Sequence, residues 1–135
     1  MTKLWGSRST GKLSKQAEKF TFSIDYDHKL ALYDCHGSIA HARMLGKQGI
    51  IPKKDASKLV NGLKQLIKRV ESGRYQFDPK SEDVHTDIQV ELKKLIGAPA
   101  DKLHTARSRN AQGSKLLRSR GHAAAARRLG SRCRM

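Results

Sequence analysis

The densest group of side chains that could take part in chemistry is the run His104-Thr105-Ala106-Arg107-Ser108-Arg109-Asn110. It places two guanidinium groups, two hydroxyls, an amide and an imidazole within seven residues. Guanidinium groups bind carboxylates and phosphates through paired hydrogen bonds, and neighbouring Ser and Asn side chains can orient the bound group. The run therefore predicts an anion-binding segment, and the alternative is an ordinary solvated basic surface.

A second candidate segment is Ser81-Glu82-Asp83-Val84-His85-Thr86. Its acidic residues suit the first turn of a helix, where they interact favourably with the helix dipole. His85 could exchange a proton or hydrogen-bond with a substrate, although a packing role is the alternative for a single histidine.

A third candidate is Ser23, which lies in the polar and apolar alternation Phe20-Thr21-Phe22-Ser23-Ile24-Asp25. Its hydroxyl could contact a ligand, and an ordinary exposed serine is the alternative. The six histidines show no zinc-type spacing with a cysteine or carboxylate partner, and no glycine-rich phosphate loop is present. The sequence therefore predicts no metal site.

Apolar residues recur at three- and four-residue steps between residues 27 and 97, and this pattern predicts three amphipathic helices. These helices are the elements that must position the candidate groups. The first helix follows Asp27 as its cap and ends near Gly46 or Gly49. The residues expected on its apolar face are Leu32, Cys35, His36, Ile39, Ala42 and Leu45. Gly37, inside this helix, is expected to permit close helix packing.

The second helix begins at Ile51-Pro52 and stops at Gly73, and the third opens at Ser81 and closes at Gly97. The apolar stripe of the second comprises Ala56, Leu59, Val60, Leu63, Leu66, Ile67 and Val70. The stripe of the third comprises Val84, Ile88, Leu92, Leu95 and Ile96. Residues 1–26 lack a sustained period and are expected to form an irregular arm. Strand signals are weak, so the predicted fold class is all-α.

Charge divides the chain into two parts. The 135 residues carry 28 Lys+Arg against 12 Asp+Glu, a net charge of +16. Residues 111–135 contain seven basic residues and no acidic one. We therefore expect a domain over 1–110 and a basic, disordered tail over 111–135. Such a tail is either simply solvated or able to contact phosphate backbones without sequence specificity.

The compartment is expected to be the cytoplasm. No run approaches the roughly 20 apolar residues of a membrane span, and the first residues do not resemble a signal peptide. The two cysteines, Cys35 and Cys133, lie far apart without a C-x-x-C companion, so free thiols are favoured over a disulfide.

Taken in order, several segments of residues 3–110 resemble the amino-terminal region of argininosuccinate lyase, a family of the fumarase/aspartase superfamily that includes delta-crystallin. The resembling segments are Lys3 to Arg8, Glu18 to Ile24, Asp34 to Ala42, Glu82 to Thr86 and Lys102 to Asn110. The family patterns W-G-G-R-F, F-N-A-S-I and R-S-R-N-D-Q-V appear here as W-G-S-R-S, F-T-F-S-I and R-S-R-N-A-Q-G.

The resemblance implies a reversible elimination in arginine biosynthesis and the urea cycle, in which L-argininosuccinate gives L-arginine and fumarate without a metal or organic cofactor. It implies substrate binding by Ser23, Arg109 and Asn110. It places His85, Thr86, Arg107 and Ser108 near the site. It also implies a homotetramer in which each active site draws segments from three subunits.

The family is several times longer than this chain, and its catalytic histidine and mobile serine loop lie outside the resembling part. We therefore expect the chain to be a truncated lyase, inactive alone and without the central bundle that forms the subunit interface. Two alternatives stay open: a basic nucleic-acid-binding protein, and a helical module that associates with a full-length lyase.

Overall fold

The structure is a computed structural model that describes residues 23–79, 81–108, 112–114 and 118–121, and within them the regular elements are helical. In chain order the elements are α1 (Ile24–Asp27), a first 3-10 helix (His28–Leu30), α2 (Ala31–Lys47), α3 (Lys53–Glu71), α4 (Val84–Ile96) and a second 3-10 helix (Ala98–Lys102). The predicted all-α class with three main helices is confirmed.

The apolar stripes of α2, α3 and α4 meet in one core. Its fully buried large side chains include Leu45, Leu59, Leu63, Ile88 and Leu92. Burying a Leu or Ile side chain stabilises a fold by about 1.5–3 kcal/mol. The three-four spacing of the sequence therefore predicted most of the core correctly. His36, expected on the apolar face of α2, is exposed instead.

Among the glycines that the structure describes, two make close helix contacts, and Gly37 is not one of them. A Cβ added at Gly46 would lie 2.6 Å from Cβ of Ala56, where α2 meets α3. One added at Gly62 would lie 2.7 Å from Cδ1 of Leu92, where α3 meets α4. Among the described atoms outside its own stretch of helix, the nearest to a Cβ at Gly37 is an Arg107 guanidinium nitrogen at 4.0 Å, an ordinary contact. The expected role of Gly37 is therefore wrong.

The helix starts differ from expectation at two places. Asp27 makes no capping hydrogen bond with its side chain and forms part of α1, so the arm predicted over 1–26 is helical from Ile24. α4 is capped by Asp83, whose carboxylate accepts from the Thr86 N–H at 2.8 Å, and not by Ser81. Gly97 ends α4 with φ of +72°, a conformation suited to glycine.

Beyond residue 110 the described residues 112–114 and 118–121 are helical, and Gln112 is buried. The boundary at 110/111 stays a prediction. No helix in the described part of the chain is long and apolar enough to cross a membrane.

Candidate functional site

A buried carboxylate on α2 is the centre of the candidate site. Asp34 is 1% exposed and lies on the same helix face as Ser38, which is fully buried one turn later. Cys35, Ala42 and Leu45 of α2 are buried in the core. Because Asp34 belongs to the same helix, their burial keeps it inside the protein. A buried charge of this kind is stable only when other groups pair with it and hydrogen-bond it.

Two nitrogens from distant parts of the chain meet Asp34 Oδ1. Nε2 of Gln112 donates to it at 2.8 Å, across 78 positions of sequence. Nδ1 of His85, in the first turn of α4, lies 3.1 Å away. Nδ1 of His85 and Nε2 of Gln112 are themselves 2.8 Å apart.

Arg107 completes this group, which we call the Asp34 cluster (Asp34, Ser38, His85, Arg107 and Gln112). One terminal guanidinium nitrogen lies 3.6 Å from Asp34 Oδ1, and the other donates to the Ser38 hydroxyl at 3.0 Å. The Arg107 side chain is 4% exposed. Its Nε is buried and has no hydrogen-bond partner among the residues that the structure describes. The cluster therefore joins α2, the start of α4 and the segment that follows the second 3-10 helix.

The contacts within the Asp34 cluster shift the pKa values of Asp34 and Arg107. Burial alone would raise the pKa of Asp34, but the hydrogen bond and charge of His85, with Gln112 and Arg107, hold it below its ordinary value. Burial lowers the pKa of Arg107, and the charge of Asp34 opposes that effect. Asp34 is therefore ionised at neutral pH within an otherwise buried environment.

The backbone that leads into Arg107 adopts an unusual conformation. Ala106 has φ of +55°, in the left-handed region that is costly for residues with a Cβ. On one side of it His41 Nε2 hydrogen-bonds the Thr105 carbonyl oxygen at 3.0 Å, and on the other the Arg107 N–H donates to the His104 carbonyl oxygen at 3.1 Å. These contacts fix the direction in which Arg107 enters the cluster.

Ser23 lies beside the start of α4. Its backbone N–H donates to the Glu82 carbonyl oxygen at 2.9 Å, three residues before His85. Its hydroxyl donates to the Asp27 carboxylate, within the same chain segment. The structure thus brings two of the sequence-predicted segments together, those around Ser23 and around His85.

The other predicted site residues fall into two groups. Thr86 donates its N–H to Asp83, and Ser108 accepts the Gln112 N–H through its carbonyl oxygen at 3.2 Å. Arg109 and Asn110, for which the resemblance implied substrate contacts, lie outside the described residues. The substrate roles of Ser23, Arg109 and Asn110 stay predictions.

A second buried carboxylate, Asp87, supports the segment before α4. It accepts from the Tyr75 hydroxyl at 2.7 Å, from the Ser81 hydroxyl at 2.9 Å and from the Asp78 N–H at 3.2 Å. Burial, together with the hydrogen bond to Asp87, raises the pKa of Tyr75. Asp87 therefore holds the segment between α3 and α4 against α4. This contact also fixes the first helical turn of α4, which carries His85.

Cys35 is a free, fully buried thiol, as predicted. Burial, with a smaller effect of the Asp34 charge, raises its pKa to about 12, so it is not a reactive nucleophile. Cys133 lies outside the described residues. Among the described residues no three His, Cys, Asp or Glu side chains are arranged to hold a metal ion.

Sequence reasoning missed Asp34, Ser38, Asp87 and Gln112 as members of polar networks. A signal existed for the first two. They lie four residues apart on a helix and share a face with the apolar stripe, and a polar residue within such a stripe is expected to have a partner.

Comparison with known proteins agrees with this architecture. A family described as "Lyase" matches residues 7–117, most of the chain, and the chain therefore belongs to this lyase family. The similar curated proteins are more specific and are named argininosuccinate lyase. The one from Trichlorobacter lovleyi is 48% identical over 110 residues. Those from Geotalea daltonii and Leuconostoc mesenteroides are 49% and 50% identical over 110 residues.

Each of these matches covers 82% of this chain but 24% of the relative. The chain thus spans about a quarter of the length of the curated relatives it matches.

Proposed function

We propose that this chain supplies one part of the substrate-binding site of an argininosuccinate lyase, which converts L-argininosuccinate to L-arginine and fumarate. The observation that carries the proposal is the Asp34 cluster. It fixes the start of α4 against the segment that leads to Arg109 and Asn110, and Ser23 is hydrogen-bonded to the same end of α4. The relatives named argininosuccinate lyase supply the substrate class.

The reaction requires cationic and hydrogen-bonding side chains in the proposed substrate-binding site. Removal of a proton next to a substrate carboxylate leaves negative charge on that carboxylate as the guanidino nitrogen departs. Donors already oriented towards the developing charge lower the barrier. Arg109, Asn110 and the Ser23 hydroxyl are the groups proposed to bind the substrate, and Arg107, Ser108, His85 and Thr86 are proposed to be near the site.

We further propose that the chain is catalytically incomplete by itself. It spans 24% of the relatives, and the proposed site contains groups that bind and orient a carboxylate but no proposed base. Purified chain is expected to form no fumarate from argininosuccinate above a control carrying Ser23→Ala and Asn110→Ala. Turnover that this control abolishes would refute the incompleteness.

A chimera tests the site itself. Residues 1–110 of this chain would replace the 110 matching residues of the Trichlorobacter lovleyi lyase, and fumarate formation would be followed by absorbance. We expect an active chimera that Ser23→Ala and Asn110→Ala each impair, while Lys64→Ala on the exposed face of α3 does not. A correctly folded but inactive chimera, or an active one indifferent to both substitutions, would contradict the proposal.

The charge of the chain supports a second candidate, non-specific binding of nucleic acid. The seven basic residues after residue 110 all lie between 115 and 134, without an acidic residue. If all seven contact phosphates, the logarithm of the binding constant falls with the logarithm of salt concentration with a slope near −6. Truncation after Ser114 should abolish binding to a duplex DNA probe, and binding that survives would exclude a mechanism based on the tail.

A further inference from the structure

The three closest polar atoms of the Asp34 cluster impose a condition on where its hydrogens lie. Asp34 Oδ1, His85 Nδ1 and Gln112 Nε2 form a triangle with sides of 2.8, 2.8 and 3.1 Å. An ionised carboxylate only accepts hydrogen bonds, so every close neighbour of Oδ1 must present a hydrogen to it.

Gln112 meets this condition in one orientation only. With its NH2 group facing Asp34 it donates at 2.8 Å. With its amide reversed, a carbonyl oxygen would stand opposite the carboxylate oxygen at that distance, and two acceptors would repel each other in a buried environment. The charge of Asp34 thus fixes the Gln112 amide.

His85 presents a choice between two arrangements. If Nδ1 lacks a proton, Gln112 can donate to it, but the Nδ1 lone pair then faces the charged carboxylate oxygen at 3.1 Å. If Nδ1 carries a proton, it donates to that oxygen in a charge-assisted hydrogen bond. Such bonds are roughly twice as strong as those between neutral partners, so the bond to Asp34 outweighs the bond from Gln112.

The surroundings do not reverse this preference. Among the described residues, the Arg or Lys that pairs with Asp34 is Arg107, and its guanidinium nitrogen lies 3.6 Å from Oδ1, farther away than either His85 or Gln112. Asp83 and Asp87, each two residues from His85 in the chain, are engaged by the Thr86 N–H and by the Tyr75 and Ser81 hydroxyls. Asp34 is therefore the acceptor that determines the state of Nδ1.

We propose that Asp34 is a positioning residue that keeps His85 protonated on Nδ1, so that Nε2 is the nitrogen that meets a ligand. The His85 side chain is 14% exposed, while the side chain of Asp34, which lies against Nδ1, is 2% exposed. Nε2 then accepts a hydrogen bond when the ring is neutral and donates one to a carboxylate when the ring is charged. This inference rests on the proposed lyase site for the identity of the ligand, but its geometry does not depend on it.

The test is a long-range proton–nitrogen NMR spectrum of the whole, uniformly ¹⁵N-labelled chain over a pH series, with His85 assigned from a His85→Gln spectrum. We expect Nδ1 to carry the proton of the neutral ring and Nε2 to be the nitrogen without one. In Asp34→Asn the ratio of Nδ1-protonated to Nε2-protonated ring should fall about tenfold or more, since the hydrogen bond to a charged acceptor is lost.

Two control variants test whether the His85 tautomer depends on Asp34 specifically. Asp87→Asn removes another buried carboxylate near His85 and should leave the His85 tautomer unchanged. Gln112→Met removes the competing donor and should leave Nδ1 protonated.

A wild-type His85 protonated on Nε2 would overturn the proposal by itself, even if Asp34→Asn fails to fold. An unchanged tautomer in a folded Asp34→Asn would also overturn it, as would loss of Nδ1 protonation in Gln112→Met. The spectrum needs no substrate, so this result and the result of the chimera assay are independent.

Discussion

Gly46→Ala is expected to destabilise the fold, although alanine is the better helix former. The added Cβ would lie 2.6 Å from Cβ of Ala56. That is about 1 Å less than an ordinary van der Waals separation between carbon atoms. Ala56 has no rotatable side chain that could move away, so α2 and α3 must separate along a line of contact that includes the buried Leu45 and Leu59.

The magnitude follows from two opposing effects. Overpacking of a core typically costs about 1–3 kcal/mol. Replacing glycine by alanine in a helix contributes about 1 kcal/mol in the other direction, and less near the helix end where Gly46 lies. The free energy of unfolding should therefore fall by about 1–2 kcal/mol, which lowers the Tm of a domain of this size by roughly 5–15 °C. Thermal and urea unfolding followed by far-UV circular dichroism measure it.

Two further variants make the reasoning refutable. Gly37→Ala lies in the same helix, and no described atom outside that stretch of helix comes closer than 4.0 Å to the new Cβ, so it should raise the stability by up to about 1 kcal/mol. In Gly46→Ala, Ala56→Gly the contacting methyl is moved from α3 to α2, so the double variant should be more stable than the sum of the two single effects. Strict additivity, or a stabilising Gly46→Ala, would show that the close contact does not determine the packing.

Three more outcomes follow from the polar contacts. Asp83→Ala should lower stability by about 1 kcal/mol in urea unfolding because the Thr86 N–H loses its cap, whereas Asp83→Asn should retain most of it. Tyr75→Phe should lower the unfolding free energy by about 1–2 kcal/mol, since Asp87 keeps its other donors, and an unchanged urea midpoint would contradict this. The folded-state pKa of Asp34 lies below its ordinary 3.8, so its stabilisation is present above that pH and is lost as pH falls through the lower folded value. Unfolding measured at a series of acidic pH values should therefore show a shallower loss of stability in Asp34→Asn than in the parent.

Periodicity predicted the helices well because the apolar stripes of α3 and α4 are governed by burial, which depends on spacing alone. The helix caps were less predictable because several acceptors precede each helix. Asp27 and Asp83 both stand at a helix start, but the Asp27 carboxylate accepts from Ser23, while Ser81 donates to Asp87. Which acceptor becomes the cap is decided by these side-chain hydrogen bonds.

The contacts of the glycines were also not predictable from the sequence pattern alone. A glycine within a helical pattern indicates a possible close contact, but the pattern does not say which neighbour approaches it. Gly37 and Gly46 are both in α2, and only Gly46 meets a backbone-fixed methyl of the next helix. The polar network was equally hidden, since Asp34 and Gln112 are 78 positions apart and neither belongs to a local motif that specifies the other.

Gln112 lies beyond the predicted domain boundary and is nevertheless part of the Asp34 cluster. Composition and the loss of the family pattern predict a boundary at 110/111, yet Gln112 is 1% exposed and donates to Asp34 from beyond that boundary. Removal of everything after residue 110 would leave Asp34 Oδ1 without its 2.8 Å donor and would alter the environment of His85. A truncation after Ser114 removes all seven basic residues of the tail and keeps Gln112. Only that truncation separates the charge of the tail from the structure of the candidate site, so a loss of nucleic-acid binding in a chain cut at 110 is not attributable to the basic residues alone.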